Sequence, residues 1–314
     1  MLRRRLAALT LGLVVIACGS SSEDSTFGDA QKIGGDTKVP PGKLGTTDDP
    51  ATKAKPSSCG KIDLLFVIDD SASMGQEQAS LITAFPEFID AIAATKGGTL
   101  DYHVAVTTTS TSMVCDEAVD AIGPENSVAA DGALVDGTSC GMQQPWLARS
   151  DANVKDAFAC AAEVGTEGAS DEMPLATMRA SLEKARAAGQ FLRDDALLAI
   201  VILTDEDDSS TRQTHYQTIA ETHDDLTDVA SYGTFLDGFT KNHDRWAVAV
   251  IAGDGDCESD FGKAKDAPRL HSFASLAGKH GSTSSICAGD LSVSLKDVLA
   301  TIQAACNDFP SDVK

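Results

Sequence analysis

The chain alternates short, densely apolar runs with longer stretches in which apolar residues recur every three or four positions. Ile62 and Leu64–Ile68 form a run of strand length that stops at Asp69-Asp70-Ser71-Ala72-Ser73-Met74-Gly75. Leu81/Ile82, Phe85, Phe88/Ile89 and Ile92 then keep helical spacing as far as Gly97-Gly98, with Pro86 predicted to kink the helix. Tyr102, Val104 and Val106 alternate as a second strand. Residues 109–145 are polar and rich in Gly and Asp, which predicts a loop insertion. Residues 150–163 and 174–188 read as helices. Ala196–Leu203 is the most continuous apolar run and predicts a strand covered on both faces; it leads straight into Thr204-Asp205-Glu206-Asp207-Asp208. A helix near 228–241, a strand at Trp246–Ile251, a helix near 268–278 and a short strand near Ser284–Cys287 follow. The closing helix sets Leu295, Val298/Leu299 and Ile302 on one side. Strands alternating with helices predict an α/β fold, a doubly wound, mostly parallel sheet with helices on both faces.

The two ends of the chain carry a different texture. Arg3–Arg5 precede the apolar stretch Leu6–Ile16, which is too short to span a bilayer as a mature helix and has the form of a signal peptide over residues 1–17. Val15-Ile16-Ala17-Cys18 resembles the bacterial lipobox, which implies lipidation of Cys18 and a lipid anchor in the membrane. Gly19 follows Cys18 in place of the aspartate that retains such proteins at the inner membrane, so the expected address is the outer membrane of the cell envelope. Residues 18–57 hold hardly an apolar side chain and read as a flexible tether with a reach on the order of 100 Å. The folded domain is expected over 58–307, with 308–314 as a tail.

Charge and cysteines narrow the function. The formal charge is −22, with 47 acidic against 25 basic residues, and removal of Arg3–Arg5 takes it to −25. Such a field repels nucleic acid and suits cations. Seven cysteines remain after Cys18 and none stands in a C-x-x-C pair, so disulfides formed outside the cytoplasm are expected. The expected pairs are Cys59 with Cys306 and Cys257 with Cys287, while Cys115, Cys140 and Cys160 share one bridge and one leftover thiol.

Two strongly apolar strands end in oxygen-rich loops, Asp69-x-Ser71-x-Ser73 and Thr204-Asp205, with no His or Cys in either. In a doubly wound sheet, ligands bind beyond the carboxyl ends of the strands near the switch in strand order. Oxygen-only donors favour a hard cation, with Mg²⁺ expected first and Ca²⁺ or Mn²⁺ as alternatives. Phe66-Val67-Ile68-Asp69-Asp70-Ser71-Ala72-Ser73-Met74 resembles the metal ion-dependent adhesion site (MIDAS) of von Willebrand factor type A (vWA) domains, and Ile202-Leu203-Thr204-Asp205 resembles the family's later strand ending in T-D. The resemblance implies a metal site in which Ser71 and Ser73 donate hydroxyl oxygens, while Asp69 and Asp205 act directly or through water. It also implies a threonine from a loop between the two elements, for which Thr166 is the first choice and Ser170 and Glu172 are rivals. Asp70 stands where a glycine is common and adds a charge that would bear on metal preference. A cation held largely by hydroxyls stays electron-poor, so the implied partner is a protein or envelope ligand that offers a Glu or Asp carboxylate.

Glu206, Asp207 and Asp208 are read as solvated loop charges rather than a second cation site. Asp254-Gly255-Asp256-Cys257-Glu258 opens like an EF-hand loop but fails at Ser259 and Lys265. No G-x-S-x-G, P-loop, H-E-x-x-H or G-x-G-x-x-G is present, and the expectation is a binding module rather than an enzyme. The alternatives are a metal-assisted hydrolase using Asp69, Asp205 and Asp207, and a structural lipoprotein with a vestigial site. A serine nucleophile at Ser71 or Ser73 would need a base, for which only His103 is a candidate by position.

Overall fold

The computed structural model describes residues 59–111, 114–115, 131–169, 172–189, 191–210, 215–216, 226–259 and 262–310. The expected signal peptide over 1–17, Cys18, the 18–57 segment, Ser170 and much of the expected 109–145 insertion lie outside the described residues. Six strands form the main sheet: β1 (Lys61–Ile68), β2 (Asp101–Thr108), β3 (Leu147–Ala148), β4 (Leu197–Leu203), β5 (Trp246–Ala252) and β6 (Gly281–Ser285). Their order is β6-β5-β4-β1-β2-β3, and every pair is parallel except β2 with β3. The chain therefore winds outwards from β1 to one edge, returns to the centre at β4 and winds to the other. The architecture is the doubly wound α/β sheet that the pattern of elements predicts.

Alternation along β1 divides the core in two. Ile62, Leu64, Phe66 and Ile68 pack against α1 (Gly75–Gly98), α2 (Val154–Ala162) and α6 (Leu291–Asp308). Leu65 and Val67 pack against α3 (Pro174–Ala188), α4 (Val229–Thr240) and α5 (Pro268–Leu276). Strand side chains point to opposite faces with a period of two, so a strand covered on both sides must be apolar throughout. Phe66 anchors the first face, with the rings of Phe158, Phe85 and Phe88 at 5.0, 6.0 and 6.2 Å.

Local departures from expectation have local causes. Helix α1 continues through Pro86, and its backbone leaves helical geometry at Thr95, Lys96 and Gly97. Lys96 and Gly97 both take positive φ, so it is the Gly-rich end that breaks the helix. Strand β6 lies a few residues ahead of the expected position because its sequence, Gly-Ser-Thr-Ser-Ser, has no apolar signature. Edge strand β3 is too short to show a period. Helix α6 runs to Asp308 and Phe309 is buried, so the domain extends beyond residue 307.

Among the described residues three disulfides form. Cys59–Cys306 and Cys257–Cys287 form as expected, and the third bridge is Cys140–Cys160. The side chain of Cys115, the remaining one of the three, lies outside the described residues. Such bridges are the mark of an exported protein. Among the described residues no helix is long and apolar enough to cross a membrane.

Candidate metal site

The two oxygen-rich loops meet. Ile68 pairs with Leu203 in register, so the chain leaves β1 and β4 at adjacent points, and the Asp69 N–H donates to the Leu203 carbonyl at 2.9 Å. This is the place where the strand order switches direction. Asp69 is fully buried and held at both carboxylate oxygens: Oδ1 accepts the Ser71 N–H at 2.7 Å, and Oδ2 accepts the Thr204 hydroxyl at 2.6 Å. The Ser71 and Ser73 hydroxyls lie 3.3 Å apart. Ser73 is exposed, which opens the site to solvent, while Asp205 is buried and accepts a hydrogen bond from Ser73.

The loop between α2 and α3 is stitched to the same edge. Gln78 Nε2 donates to the Asp69 carbonyl at 2.9 Å and to the Gly165 carbonyl at 2.8 Å. The methyl of Thr166 faces Gly75, where an added Cβ would meet it at 3.6 Å. The Gly168 N–H donates to the Asp70 carbonyl at 2.7 Å, and the Ala169 N–H to Ser110 Oγ at 2.8 Å. Asp69, Ser71, Ser73, Thr166 and Asp205 thus lie on three loops brought to one edge of the sheet. Ser170, one rival for the third loop, lies outside the described residues. Glu172, the other rival, is buried, and its carboxyl lies beside that of Glu206.

Burial and like charge make the site electrostatically costly when nothing positive fills it. Burial, with the neighbouring Asp205 charge, pushes the Asp69 carboxyl up to about 6 despite the hydrogen bonds from Thr204 and Ser71. Glu77 rises to about 7 through burial and the charges of Asp205 and Asp69. Glu172 rises to about 10 through burial and the charges of Asp69 and Glu206. Burial raises Asp205 as well, against the bond from Ser73.

A divalent cation fits this donor set. Asp205 Oδ1 and Glu77 Oε2 are buried acceptors with no hydrogen-bond partner. A six-coordinate ion with ligands near 2.1 Å sets neighbouring ligand oxygens about 3 Å apart, close to the spacing of the two serine hydroxyls. Among the described residues no three His, Cys, Asp or Glu side chains are gathered as a ready-made metal cluster. A site that draws two of its oxygens from hydroxyls needs no such cluster.

The acidic run behaves differently from a set of solvated charges. Glu206 pairs with Lys265 at 2.7 Å at the surface. Asp207 accepts the N–H groups of Arg269 and Leu270 at 3.1 Å and so caps α5. Asp208 is buried, accepts the Leu175 N–H at the start of α3 and pairs with Arg269 at 2.9 Å. Two carboxylates expected in solvent are therefore structural, and Asp207 is not free to act as a hydrolytic group. Asp70 is buried and takes part in the bonding between the loops. Its Oδ1 accepts the Ser110 hydroxyl at 2.7 Å, which ties the loop after β2 to the site. The Asp254–Glu258 segment enters a short ribbon, Cys257–Ser259 against Gly262–Ala264, whose next residue Lys265 donates its N–H to the Asp205 carbonyl at 2.9 Å.

His103 lies opposite Asp63 in register, near the start of β1 and at the far edge of the sheet from Ser71. Its Nδ1 is engaged with the Phe191 carbonyl at 2.8 Å. It offers no base to either serine. Gln78, Thr204 as the clamp on Asp69, and Ser110 are the functional positions that sequence reasoning missed. Gln78 sits among polar first-turn residues and carries no local signal. Thr204 stood in the quoted motif without a role.

Loops of the D-x-S-x-S and T-D types thus converge at the switch point of a sheet ordered 6-5-4-1-2-3. The architecture is vWA-like. No protein-family model matches the sequence, and no curated protein is significantly similar to it. Among solved structures the chain is similar to proximal thread matrix protein 1 from the mussel byssus, at 14% identity and a TM-score of 0.40 over 80% of this chain and 47% of that one; that structure is described as having a zinc-occupied MIDAS motif. It is also similar to the pilus adhesin SpaC from Lactobacillus rhamnosus GG, at 11% identity and a TM-score of 0.43 over 79% of this chain and 31% of that one. The chain spans less than half the length of either. These likenesses are distant, and the reading of the site rests on its own geometry.

Proposed function

We propose that this chain is an exported, lipid-anchored binding module that takes a divalent cation at Ser71, Ser73 and Asp205, with Asp69 held behind them, and uses it to capture an acidic group of a protein or envelope ligand. The observation that carries the reading is the pair of hydroxyls 3.3 Å apart beside a buried Asp205 whose Oδ1 has no partner. Asp69 spends both oxygens on Ser71 N–H and Thr204 Oγ, so it orients the loop and supplies charge from behind. When bound, the cation supplies an electrophilic centre that accepts an oxygen from outside the protein. The chain's own residues set that up. Ser73 faces solvent and marks the side from which a partner would approach. Gln78 locks the first and third loops together so that the donors keep their spacing. Cys18 would carry the acyl chains, each buried CH₂ contributing about 0.8 kcal/mol to anchoring. Mg²⁺ is the starting choice of ion, with Ca²⁺ or Mn²⁺ as alternatives.

The test is a pull-down from envelope extracts with the purified protein, run with Mg²⁺ or Ca²⁺ and with EDTA, against the Ser71→Ala/Ser73→Ala double variant. Capture by the wild type that needs the cation and is lost in the variant supports the reading. Capture that persists in EDTA would show a vestigial site, and cation-dependent turnover of phosphoesters or glycans would show an enzyme.

A further inference from the structure

The pole of the sheet opposite the candidate metal site carries a cleft of the opposite charge. It lies where β1, β4 and β5 begin, and Arg186, Arg193, Lys241 and Arg245 line it together with Asp63 and Asp194. Four cations against two carboxylates stand out in a chain whose formal charge is −22. Two of the four are matched. Arg193 donates to Asp63 at 2.8 Å and pairs with Asp101 as well, and Arg186 pairs with Asp194 at 3.1 Å. Arg245 gives its terminal nitrogens to the Thr240 and Asp194 carbonyls, and its Nε is buried with no partner. Lys241 follows α4 in the left-handed region at φ 63°, is exposed, and makes no ion pair among the described residues. Capping the end of α4 explains part of this charge, because Arg186 and Arg245 donate to the Phe239 and Thr240 carbonyls. It leaves the Lys241 ammonium and the Arg245 Nε without an acceptor.

The cleft is also held in shape. Arg186 lies over the Phe239 ring at 4.0 Å and Arg245 over that of Phe309 at 5.5 Å. A ring beneath a guanidinium fixes its plane without using its N–H donors. Burial pulls the Arg245 guanidinium below its ordinary value, a cost that an anion beside it would offset. We propose that this cleft is an anion site, independent of the metal-site reading, and that it takes a phosphate group, either the free ion or the phosphate of a lipid headgroup. Two unmatched cations suit a group of charge near −2 better than a single carboxylate. A phosphate can meet Lys241 as a point charge and Arg245 as a planar donor at once. The chain enters the domain at this same pole, through Cys59 and Lys61, so a headgroup held there would turn the metal site away from the lipid.

Calorimetric titration of the full chain with sodium phosphate at low ionic strength, with sodium acetate as the monovalent comparison, tests the site. The wild type is expected to bind phosphate with a Kd of about 1 mM or tighter, and at least about tenfold tighter than acetate. Lys241→Gln and Arg245→Gln are each expected to weaken phosphate by about tenfold. Arg179→Gln removes the same charge from an exposed ion pair outside the cleft and is expected to leave phosphate within about twofold. No binding of phosphate, acetate as tight as phosphate, or an equal loss in Arg179→Gln overturns the proposal. Should Arg245→Gln fail to fold, the exposed Lys241→Gln decides. Flotation with phosphatidylcholine vesicles, with and without phosphatidic acid, separates the two sources. Recruitment by phosphatidic acid that Lys241→Gln abolishes identifies the headgroup, and phosphate binding without such recruitment identifies the soluble ion.

Discussion

At the scale of single residues, the Ser71 and Ser73 hydroxyls lie 3.3 Å apart and bond to the carboxylates of Asp69 and Asp205. Ser71→Ala/Ser73→Ala is expected to lower divalent-cation affinity by about tenfold or more while leaving the fold intact, the melting temperature in EDTA falling by a few degrees for two lost hydrogen bonds worth about 1 kcal/mol each. Titration calorimetry and a thermal melt check the two halves. The acidic residues predict a pH effect of definite sign. Asp69 and Glu77 have ordinary values of 3.8 and 4.5 and folded values of about 6 and about 7. A carboxyl raised by folding stabilises the folded state below its unfolded value, and that contribution is lost as pH rises through the folded value. The metal-free domain should lose stability between about pH 4 and pH 7, and a bound cation, which needs the ionised form, should restore it increasingly over that window. Melting curves across pH, with and without Ca²⁺, read this directly; a metal-free domain that gains stability over the same range would contradict it. Asp69, Ser71, Ser73 and Asp205 were legible because each follows a strand whose apolar run marks its end. The third-loop ligand stays open among Thr166, Ser170 and Glu172, because a loop without periodicity gives no register, and the burial of Glu172 follows from backbone bonds of Met173 to Thr109 and of Glu172 to Ser209 far along the chain.

At the scale of elements, close backbone approach holds the three loops together. A Cβ at Gly168 would fall 2.4 Å from Asp70 Cγ and 2.6 Å from the Asp70 carbonyl oxygen. Gly168→Ala should therefore push the third loop off the first, at a cost of about 1–3 kcal/mol and with weakened cation binding. Denaturant unfolding and calorimetry on the same variant would show both effects, and a neutral result would mean that the loop shifts freely. Gln78→Ala removes the bonds to the Asp69 and Gly165 carbonyls and is expected to cost about 1–3 kcal/mol for the groups left buried. Element type was readable wherever an apolar run or helical period was long, as in β1, β4, β5, α1 and α6. It failed for β6, whose serines and threonine take their strand from pairing with β5. It failed also for the acidic run, where Asp207 and Asp208 are drawn inwards by two helix starts and Arg269 that no local window contains.

At the scale of the whole molecule, Cys59–Cys306 joins the start of β1 to α6 across 247 residues of sequence. The pairing was legible because the two cysteines bracket the periodic part of the chain, whereas Cys140–Cys160 was one of several options for three cysteines. Cys59→Ser/Cys306→Ser is expected to cost about 2–5 kcal/mol, read as a fall in denaturation midpoint. The bridge also determines how a pulling force would travel. Cys59 lies just ahead of β1, and Asp69 just beyond its other end. A load applied between the two runs lengthwise down an eight-residue strand hydrogen-bonded to β2 on one side and β4 on the other. Both ladders would have to slide at once in shear, not peel open rung by rung, and the bridge fastens the loaded end to a helix on the far side of the core.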